Sequence, residues 1–466
     1  MYESYETKKY SADKIVLFGF LVLGLLIAGL IVRIKKAIVY SKPIKLNHTG
    51  LSVSVPAGNG WKSELQWKFH ENNFWLYSIF NADLSSPTVL VSCRYRLVIQ
   101  VTDKNDPLNQ KAESLGGTVL KTGQIQNGIL TIDWAQIKTN PADSKITVKK
   151  HLHRDTSAVT RTKVNEIILD NLFYATAQLP DNRLLDIEVS QTNNYELAEK
   201  VFEQIVKRLV FENNNLLSTG SDVVSKIKET GLNRFLENQN KQNFFMIKDA
   251  QKRNIGFTME VLVDSPQKAP LNIQAADVLY VRQLFEQNTV LQSENNFNYF
   301  QWKSEDHDVT GTKGYEIIFK NGKMTANDFT ASLEEKEYQL NPASIPAIFF
   351  DFLLIQMLET DYEKILVDII EPEGIIIPVL ISRVRPQKEP QQNKYSYILK
   401  IDLLNDPDAP QLFYLNNQMQ IVKKRWKREN WTFELTDAEN ILKNFPEKAD
   451  YIIQQNQIQN QNQLIN

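Results

Sequence analysis

The chain of 466 residues carries 53 lysine and arginine residues against 55 aspartate and glutamate residues, a formal net charge of −2. This balance, without a concentrated basic face, excludes the electrostatic footprint of a nucleic-acid-binding protein. The single cysteine excludes an internal disulfide, and the 42% of apolar residues suffice for the cores of two domains.

The first predicted element is an uninterrupted apolar run, Ile15–Val32. At about 1.5 Å per residue, a helix of this length matches the apolar thickness of a bilayer. We therefore expect an N-terminal tail over residues 1–14 and a transmembrane anchor over residues 15–36. A cleaved signal peptide is the alternative, but the run is longer than a signal-peptide core, and the basic segment Arg33–Lys36 follows it in place of small residues.

The charges that flank this run do not favour export of the rest of the chain. More lysine and arginine residues follow the run than precede it, and by the positive-inside rule this pattern keeps the body in the cytoplasm. The short polar tail, typical of a signal anchor, and the scarcity of cysteine point to export instead. The flanking residues alone leave the orientation open.

A first domain is predicted over residues 48–212. Its opening strand alternates Leu51, Val53 and Val55 with serine and stops at Pro56. A short helix over residues 106–116 and an amphipathic helix over 195–211 are expected between and after further strands. These strands cover residues 89–101, 128–137, 146–152, 166–178 and 184–189. Two helices with several antiparallel strands predict a layered α/β sandwich.

Two sequence features frame this domain. It opens with Thr49–Pro56 followed by Trp61, and it closes with the strand Leu185–Val189 followed by apolar helix positions, namely Ala198, Val201, Phe202 and Ile205. In these features the domain resembles the PsbP-like fold family, the extrinsic photosystem subunits and their bacterial relatives. The resemblance implies a binding or assembly module without a shared catalytic motif.

A polar segment over residues 213–242 predicts a linker that contains a short helix. Strands resume in a second domain over residues 243–446, and their meandering order predicts a curved antiparallel sheet or half-barrel. They are expected at residues 244–247, 252–261, 299–302, 314–319, 323–329, 363–370, 375–384, 395–403, 411–414 and 418–423. Ala347–Leu358 follows Pro346 and is apolar nearly all round, which predicts a buried helix. A removable plug over a lipid-sized groove is the alternative role for this helix.

Three features of the second domain carry a second resemblance. They are the strand around Asn254–Gly256, the apolar helix over residues 346–358 and the late strand pair around Tyr414–Met419. In these features residues 243–446 resemble the curved-sheet envelope proteins of the LolA/LolB-like superfamily. The resemblance implies an apolar concavity that binds acyl chains or a peptide, and a body outside the cytoplasm.

Residues with catalytic or metal-binding potential are few. His151 and His153 would share one face of a strand, but no third ligand can be named, and Glu305–Asp308 lacks the spacing of a calcium loop, so a polar turn is expected there. Cys93 has no assignable base and is interpreted as a small buried residue on a strand. We therefore predict no catalytic, cofactor-binding or metal-binding residue and no enzymatic activity.

The densest basic run, Lys423–Arg428, is interleaved with tryptophan and could hold phosphate or stack a base. One such run between strands is more typical of a solvated edge, where charge deters strand pairing. The C-terminal segment over residues 447–466 is rich in asparagine and glutamine and is expected to be disordered.

The predicted fold class is α+β, with one transmembrane helix, an antiparallel α/β sandwich and a curved antiparallel sheet that wraps a helix. We expect a single-pass protein of the cell membrane, attached through residues 15–32, whose body is extracytoplasmic (periplasmic). Its two domains are expected to bind a lipid, a lipoprotein or an envelope protein near the membrane. A structural subunit of a membrane complex is the alternative function, and a metal hydrolase using His151 and His153 is a distant third.

Overall fold

The structure is a computed structural model of the whole chain. It describes Val22 and residues 38–45, 50–58, 61–68, 73–80, 89–96, 99–100, 106–139, 145–150, 163–168, 171–179, 183–191, 195–212, 216–232, 234, 242–265, 271–294, 296–308, 310–328, 336–384, 395–403, 409–450 and 452.

The described N-terminal half, up to residue 234, contains three helices and fifteen strands. The helices are α1 (Pro107–Ser114), α2 (Tyr195–Arg208) and α3 (Leu216–Thr230). The strands are β1 (Val39–Tyr40), β2 (Ile44–Lys45), β3 (Leu51–Val53), β4 (Pro56–Ala57), β5 (Trp61–Lys68), β6 (Asn73–Phe80), β7 (Val89–Arg96), β8 (Ile99–Gln100), β9 (Thr118–Asn127), β10 (Leu130–Lys138), β11 (Lys145–Lys150), β12 (Lys163–Ile168), β13 (Asn171–Gln178), β14 (Leu184–Gln191) and β15 (Val210–Phe211).

Seven of these strands form an antiparallel sheet in the order β5-β6-β7-β14-β13-β10-β9. Helix α2 packs on this sheet, because its apolar positions repeat along one face and Val201 and Ile205 are fully buried. Phe202 of the same helix stacks on Phe173 of β13, with ring centroids 5.4 Å apart. Smaller sheets pair β1 with β4, β11 with β12, and β3 with both β15 and β2.

The described C-terminal half contains fifteen strands and two α-helices. The helices are α4 (Phe350–Leu358) and α5 (Ala438–Asn444). The strands are β16 (Gln242–Lys248), β17 (Asn254–Ser265), β18 (Leu271–Val281), β19 (Gln283–Ser293), β20 (Tyr299–Asp308), β21 (Gly311–Lys320), β22 (Lys323–Asp328), β23 (Lys336–Gln339), β24 (Ser344–Pro346), β25 (Lys364–Ile370), β26 (Ile376–Arg383), β27 (Tyr397–Leu403), β28 (Gln411–Leu415), β29 (Ile421–Trp426) and β30 (Trp431–Thr436).

All fifteen strands join one sheet, to which β8 of the N-terminal half adds at the edge. The order of its described strands is β24-β25-β26-β27-β28-β29-β30-β16-β17-β18-β19-β20-β21-β22-β23-β8, antiparallel except between β24 and β25. The turn between β25 and β26 touches β22, far along this order, since a Cβ added at Gly374 would lie 2.6 Å from the methyl group of Ala326. The sheet therefore curls, and the side within the curl is termed the inner face.

The helix predicted over residues 347–358 is present and lies against the inner face. A 3-10 turn, Ala347–Phe349, leads directly into α4. Phe350 meets Phe413 of β28 with ring centroids 5.9 Å apart, and Phe349 meets Phe297, between β19 and β20, at 4.7 Å. Because these two contacts reach well-separated strands, α4 occupies the inside of the curl.

A smaller core lies on the outer face of the sheet. Phe257 and Met259 of β17 pack there with α5, whose Ile441 is fully buried. Ile452 joins the same cluster, so the prediction of disorder from residue 447 onward is wrong at its beginning. Residues 453–466 lie outside the described part of the chain.

A buried ion pair joins the two halves of the chain. Arg183, next to β14, donates from Nη2 to Oδ1 of Asp368 on β25 at 2.8 Å, and the two side chains are 0% and 1% exposed. Asn341 donates from Nδ2 to the other carboxylate oxygen of Asp368, and its Oδ1 accepts the backbone N–H of Ala343 at 2.7 Å. Arg183, Asp368 and Asn341 are termed the joint.

Helix α3, which contains the short helix predicted in the linker, packs close to the joint. A Cβ added at Gly220 would lie 1.9 Å from the backbone oxygen of Leu366 on β25, so only glycine permits this approach. The hydroxyl of Thr219 donates to the backbone oxygen of Lys364 at 3.2 Å. The buried residues of α3 are Gly220, Val223, Val224 and Ile227.

The predicted α+β fold class is wrong. The described chain is mostly β, and one sheet takes in nearly the whole C-terminal half. The physical reason is that many residues without a strand prediction form strands: residues 61–68, 73–80, 118–127, 271–293 and 431–436 supply six further strands, β5, β6, β9, β18, β19 and β30. None of the described helices has the length and apolar character that crossing a membrane requires. Apart from Val22, the predicted anchor over residues 15–36 lies outside the described residues.

Candidate functional site: a polar row inside the curled sheet

Five residues on five neighbouring strands form a continuous polar row on the inner face. Strand register places Glu260 of β17 opposite Asp277 of β18. The register continues from Asp277 to Gln287 of β19, and from Gln287 to Asp306 of β20. Lys313 of β21, opposite Asp306, ends the row. Opposite residues in an antiparallel pair point to the same face with Cβ atoms about 4.5–5.5 Å apart, so the five side chains form one band.

The inner face is apolar on one side of the polar row. Four strands each carry a buried apolar residue four positions from a member of the row, and therefore on the same face: Ile273, Leu291, Trp302 and Ile317. Asp277 and Lys313, by contrast, are exposed, and the other members are half-buried. The polar row thus marks the place where the inner face changes from buried core to a surface that water reaches.

Lys424 of β29 closes one end of the row. Its Nζ lies 2.6 Å from Oε1 of Glu260, although β30 and β16 separate the two strands. Three strand spacings span about 14 Å in a flat sheet, so this contact requires the sheet to curl toward the inner face. The ammonium group lies 4.8 Å from the ring centroid of Phe245 and 5.6 Å from that of Phe413, within cation–π range.

Two of the acidic groups near Lys424, Asp277 and Asp351, have raised pKa values. Burial raises the pKa of Asp277 to about 7, and the charge of Glu260 adds to the rise while Lys424 opposes it. Asp351, which reaches the row from α4, has its pKa raised to about 6, again first by burial. Yet Asp277 is exposed and Asp351 only half-buried. Both carboxylates are therefore surrounded by protein but still accessible to water, as expected for groups that line a groove. Carboxylates of this kind cluster at functional sites.

Lys424 itself stays charged in this setting. Burial alone would lower the pKa of its ammonium group. The carboxylates of Glu260, Asp351 and Asp277 outweigh that effect and raise the pKa of Lys424 above its ordinary value. Lys424 is therefore a fixed positive charge beside Asp277 and Asp351, whose raised pKa values let them take up protons in mildly acidic solution.

The turn Glu371–Gly374 closes the other end of the row. Glu373 in this turn faces Asp306 and Lys313, and burial raises its pKa, with Asp306 adding to the rise and Lys313 opposing it. Burial, followed by the charge of Glu373, raises the pKa of Glu371 to about 7. On the sheet, Gln287 donates from Nε2 to Oδ1 of Asp306 at 2.8 Å, which fixes that carboxylate in the row.

The groove between the sheet and the elements inside it collects more negative than positive groups. The carboxylates outnumber the lysines: Glu260, Asp277, Asp306, Asp351 and Glu373 stand against Lys313 and Lys424. This arrangement can take up protons or hold positively charged groups. Across the described residues, no three histidine, cysteine, aspartate or glutamate side chains are arranged to hold a metal ion.

Two sequence interpretations are corrected at this site. The basic run Lys423–Arg428 is not a solvated edge throughout, because the side chain of Lys424 is only 14% exposed and points into the groove. Alternation along β29 turns Lys423 to the outer face, where its Nζ lies 3.9 Å from Glu434. Glu305–Asp308 is not a turn throughout, since all four residues belong to β20 and only Asp308 also caps the turn, accepting the N–H of Thr310 at 2.6 Å.

The remaining candidates from the sequence do not meet in this groove. His151 and His153 lie outside the described residues. Cys93 lies on β7, in the strand predicted for it.

Sequence reasoning missed the centre of the site. Asp277 and Gln287 lie on β18 and β19, for which no strand was predicted. The available signal was the alternation of Ile273, Ala275, Leu279 and Val281, an inward-facing pattern that Asp277 interrupts. A charged residue at an inward position of a strand is the kind of exception that marks a site.

Comparison with known proteins assigns no family to this chain. No protein-family profile matches it, and no curated protein is similar to it. Among solved structures it is similar to a β-barrel-like protein of a domain of unknown function, DUF1849, from Brucella abortus, at 9% identity over 42% of this chain and 95% of that one, with a TM-score of 0.31. It is also similar to the tail fiber of Staphylococcus aureus phage P68, at 8% identity over 77% of this chain and 70% of that one, with a TM-score of 0.11. Neither the PsbP-like nor the LolA/LolB-like resemblance is supported by a family profile.

Proposed function

We propose that this chain is a binding protein that takes a basic segment of a partner protein into the groove along the polar row. The observation that carries the proposal is the row itself: Glu260, Asp277, Gln287, Asp306 and Lys313 lie in register across five strands and remain reachable by water. A scaffold that only packs its core has no need for charged residues at consecutive inward positions.

The apolar part of the curl supports a peptide ligand over an acyl chain. Helix α4 and the turn before it fill that part, and their inward side chains are at most 2% exposed: Phe349, Phe352, Leu353, Leu354 and Met357. A lipid tail would have to displace these groups, whereas the polar row is already open. A peptide needs only the open part of the groove.

Charge supports a basic segment. Lysine and arginine side chains form short, charge-assisted hydrogen bonds with carboxylates, and complementary charge speeds association. Of the three carboxylates in the polar row, Glu260 is paired with Lys424, whereas Asp277 and Asp306 have no lysine within ion-pair distance among the described residues. Asp277 and Asp306 are therefore the groups we expect a ligand to engage.

The test is a binding titration on the full chain in detergent. A labelled peptide of alternating lysine and leucine is compared with its glutamate counterpart and with a fluorescent fatty acid. We expect the basic peptide to bind and an Asp277→Asn, Asp306→Asn variant to bind it about tenfold more weakly, equivalent to about 1.4 kcal/mol. Asp361→Asn, at an exposed position outside the groove, is the matched control.

Two results would overturn the proposal. Binding of the fatty acid without the basic peptide would restore the acyl-chain function, and equal binding by all variants would move the site elsewhere. If no ligand binds and the chain instead co-purifies with stoichiometric membrane partners, the alternative of a structural subunit replaces the proposal.

We further propose that the partner is met at the cell membrane, with the body on the extracytoplasmic side. The support is the apolar run Ile15–Val32 in the sequence, together with the resemblance of residues 243–446 to the LolA/LolB-like envelope proteins. Protease treatment of intact spheroplasts tests the orientation. Cleavage of the body before permeabilisation is expected, and protection until permeabilisation would place the body in the cytoplasm.

A further inference from the structure

Four charged groups from four elements meet at the docking site of α4. Asp351 comes from the first turn of α4, Glu260 from β17, Asp277 from β18 and Lys424 from β29. Lys424 is bound to Glu260 at 2.6 Å above the ring of Phe245, so its position is fixed by both the carboxylate and the aromatic surface. Asp351 and Asp277 therefore lie near each other beside the ion pair of Lys424 and Glu260.

The charges of this cluster do not balance when every acid is ionised. Three carboxylates surround one ammonium group, and Glu260 and Asp277 stand directly opposite each other on paired strands. Like charges in that position repel and destabilise the pairing. Each proton taken up by Asp277 or Asp351 removes part of the repulsion between the helix and the sheet.

The turn between β25 and β26 repeats the pattern at the other end of the groove. Glu373 of the turn faces Asp306 on β20, with Lys313 on β21 as the positive group, and Glu371 lies in the same turn. Gly374 packs directly on Ala326, so the turn lies in close contact with the sheet. Helix α4 and the turn Glu371–Gly374 thus each place a carboxylate near a carboxylate of the sheet.

We propose that α4 and the turn Glu371–Gly374 form a proton-operated latch: both elements stay docked on the inner face (the closed state) in mildly acidic solution and loosen from it (the opened state) in mildly alkaline solution. The latch goes beyond the proposed binding function and does not rest on it, because it acts in the chain without a ligand.

The direction follows from the acids involved. The pKa values of Asp277, Asp351 and Glu371 rise to about 7, 6 and 7 in the folded chain, mainly through burial, whereas about 4 is usual for an exposed carboxyl. Between pH 4 and pH 7, roughly, these carboxyls bind more protons in the closed state than in an opened state. The closed state is therefore favoured as the pH falls from 8 toward 5 and is weakened as the pH rises through 7.

Hydrogen–deuterium exchange on the full chain without ligand tests the latch. Protection factors are measured at pH 5.5 and pH 8.0 after correction for intrinsic exchange rates. We expect the amides of residues 350–358 and 371–374 to be roughly tenfold better protected at pH 5.5, which corresponds to about one pKa unit of difference between the closed and opened states. The outer-face strand segment 257–259 serves as an internal reference that should not change.

Two variants make the result specific. Asp351→Asn together with Asp277→Asn keeps the shape of the side chains but removes their titration, and it should abolish the pH response of α4 while that of the turn persists. Asp361→Asn, exposed beyond the end of α4, should leave both responses intact. Equal protection at the two pH values in the unmodified chain, or a response of α4 that survives in the double variant, would overturn the latch.

Discussion

The joint and the groove both hold charges inside the C-terminal sheet, but the two places treat charge differently. At the joint, the guanidinium of Arg183 meets the carboxylate of Asp368, both are sealed from water, and Asn341 satisfies the second carboxylate oxygen. In the groove, Lys424 faces three carboxylates, and Asp277 remains exposed. A sealed ion pair fixes two parts of a chain together, whereas an open cluster with excess negative charge keeps charge available for protons or a ligand.

The sharpest test of this contrast is Arg183→Met. The substitution removes the guanidinium from the buried carboxylate of Asp368, and we expect a loss of about 3–5 kcal/mol in the free energy of unfolding, measured by urea denaturation. The control is Lys400→Met, which removes the ion pair with Asp402, where the lysine is 39% exposed, and should cost less than about 1 kcal/mol. Equal losses in the two variants would mean that the joint holds nothing together.

The matching test in the groove is Lys424→Met. We expect a loss of about 1.5–3 kcal/mol at pH 8, because Glu260 loses its charge-assisted hydrogen bond and three carboxylates lose their cation. At pH 5.5 part of this loss should disappear, since Asp277 and Asp351 are then protonated and need no cation. Urea denaturation at the two pH values measures the difference, and a loss independent of pH would contradict the account of the groove as an unbalanced cluster.

Packing near the joint gives a third test. We expect Gly220→Ala to destabilise the chain by about 1–3 kcal/mol, because the added methyl group meets the backbone oxygen of Leu366, which cannot move away as a flexible side chain would. Ser218→Ala, on the exposed side of α3, is the control and should change the thermal midpoint little. If both variants melt alike, α3 does not pack tightly on β25 in solution.

The smallest expected effect has the opposite sign. Glu371→Gln removes a carboxyl whose pKa burial and the neighbouring Glu373 raise to about 7. At pH 8 the ionised form is disfavoured, so the variant should be more stable than the unmodified chain by about 1 kcal/mol, the effect being reduced by solvent screening. At pH 5.5 the gain should vanish. A destabilised variant at pH 8 would show that the turn depends on a charged Glu371.

Local sequence patterns predicted individual helices and strands better than they predicted which strands and side chains come together. The apolar character of residues 347–358 was enough to place the helix inside the curl, and the alternation around Leu51 was enough for β3. The class was missed because β5, β6, β9, β18, β19 and β30 received no strand prediction, although β6, β18, β19 and β30 each pair with a neighbour on both sides. The site was missed for a further reason. Lys424 and Glu260 are 164 residues apart, and their contact exists only because the sheet curls, which no local pattern reveals.

The most direct test of the groove as the functional site is hydrogen–deuterium exchange at one pH, 6.5, with and without the basic peptide. We expect the peptide to protect amides in β17, β18, β19 and β20, on both sides of the polar row, and to leave the seven-stranded N-terminal sheet unchanged. Protection confined to the N-terminal sheet, or protection of α4 by a fatty acid in place of the peptide, would contradict the assignment of function to the polar row.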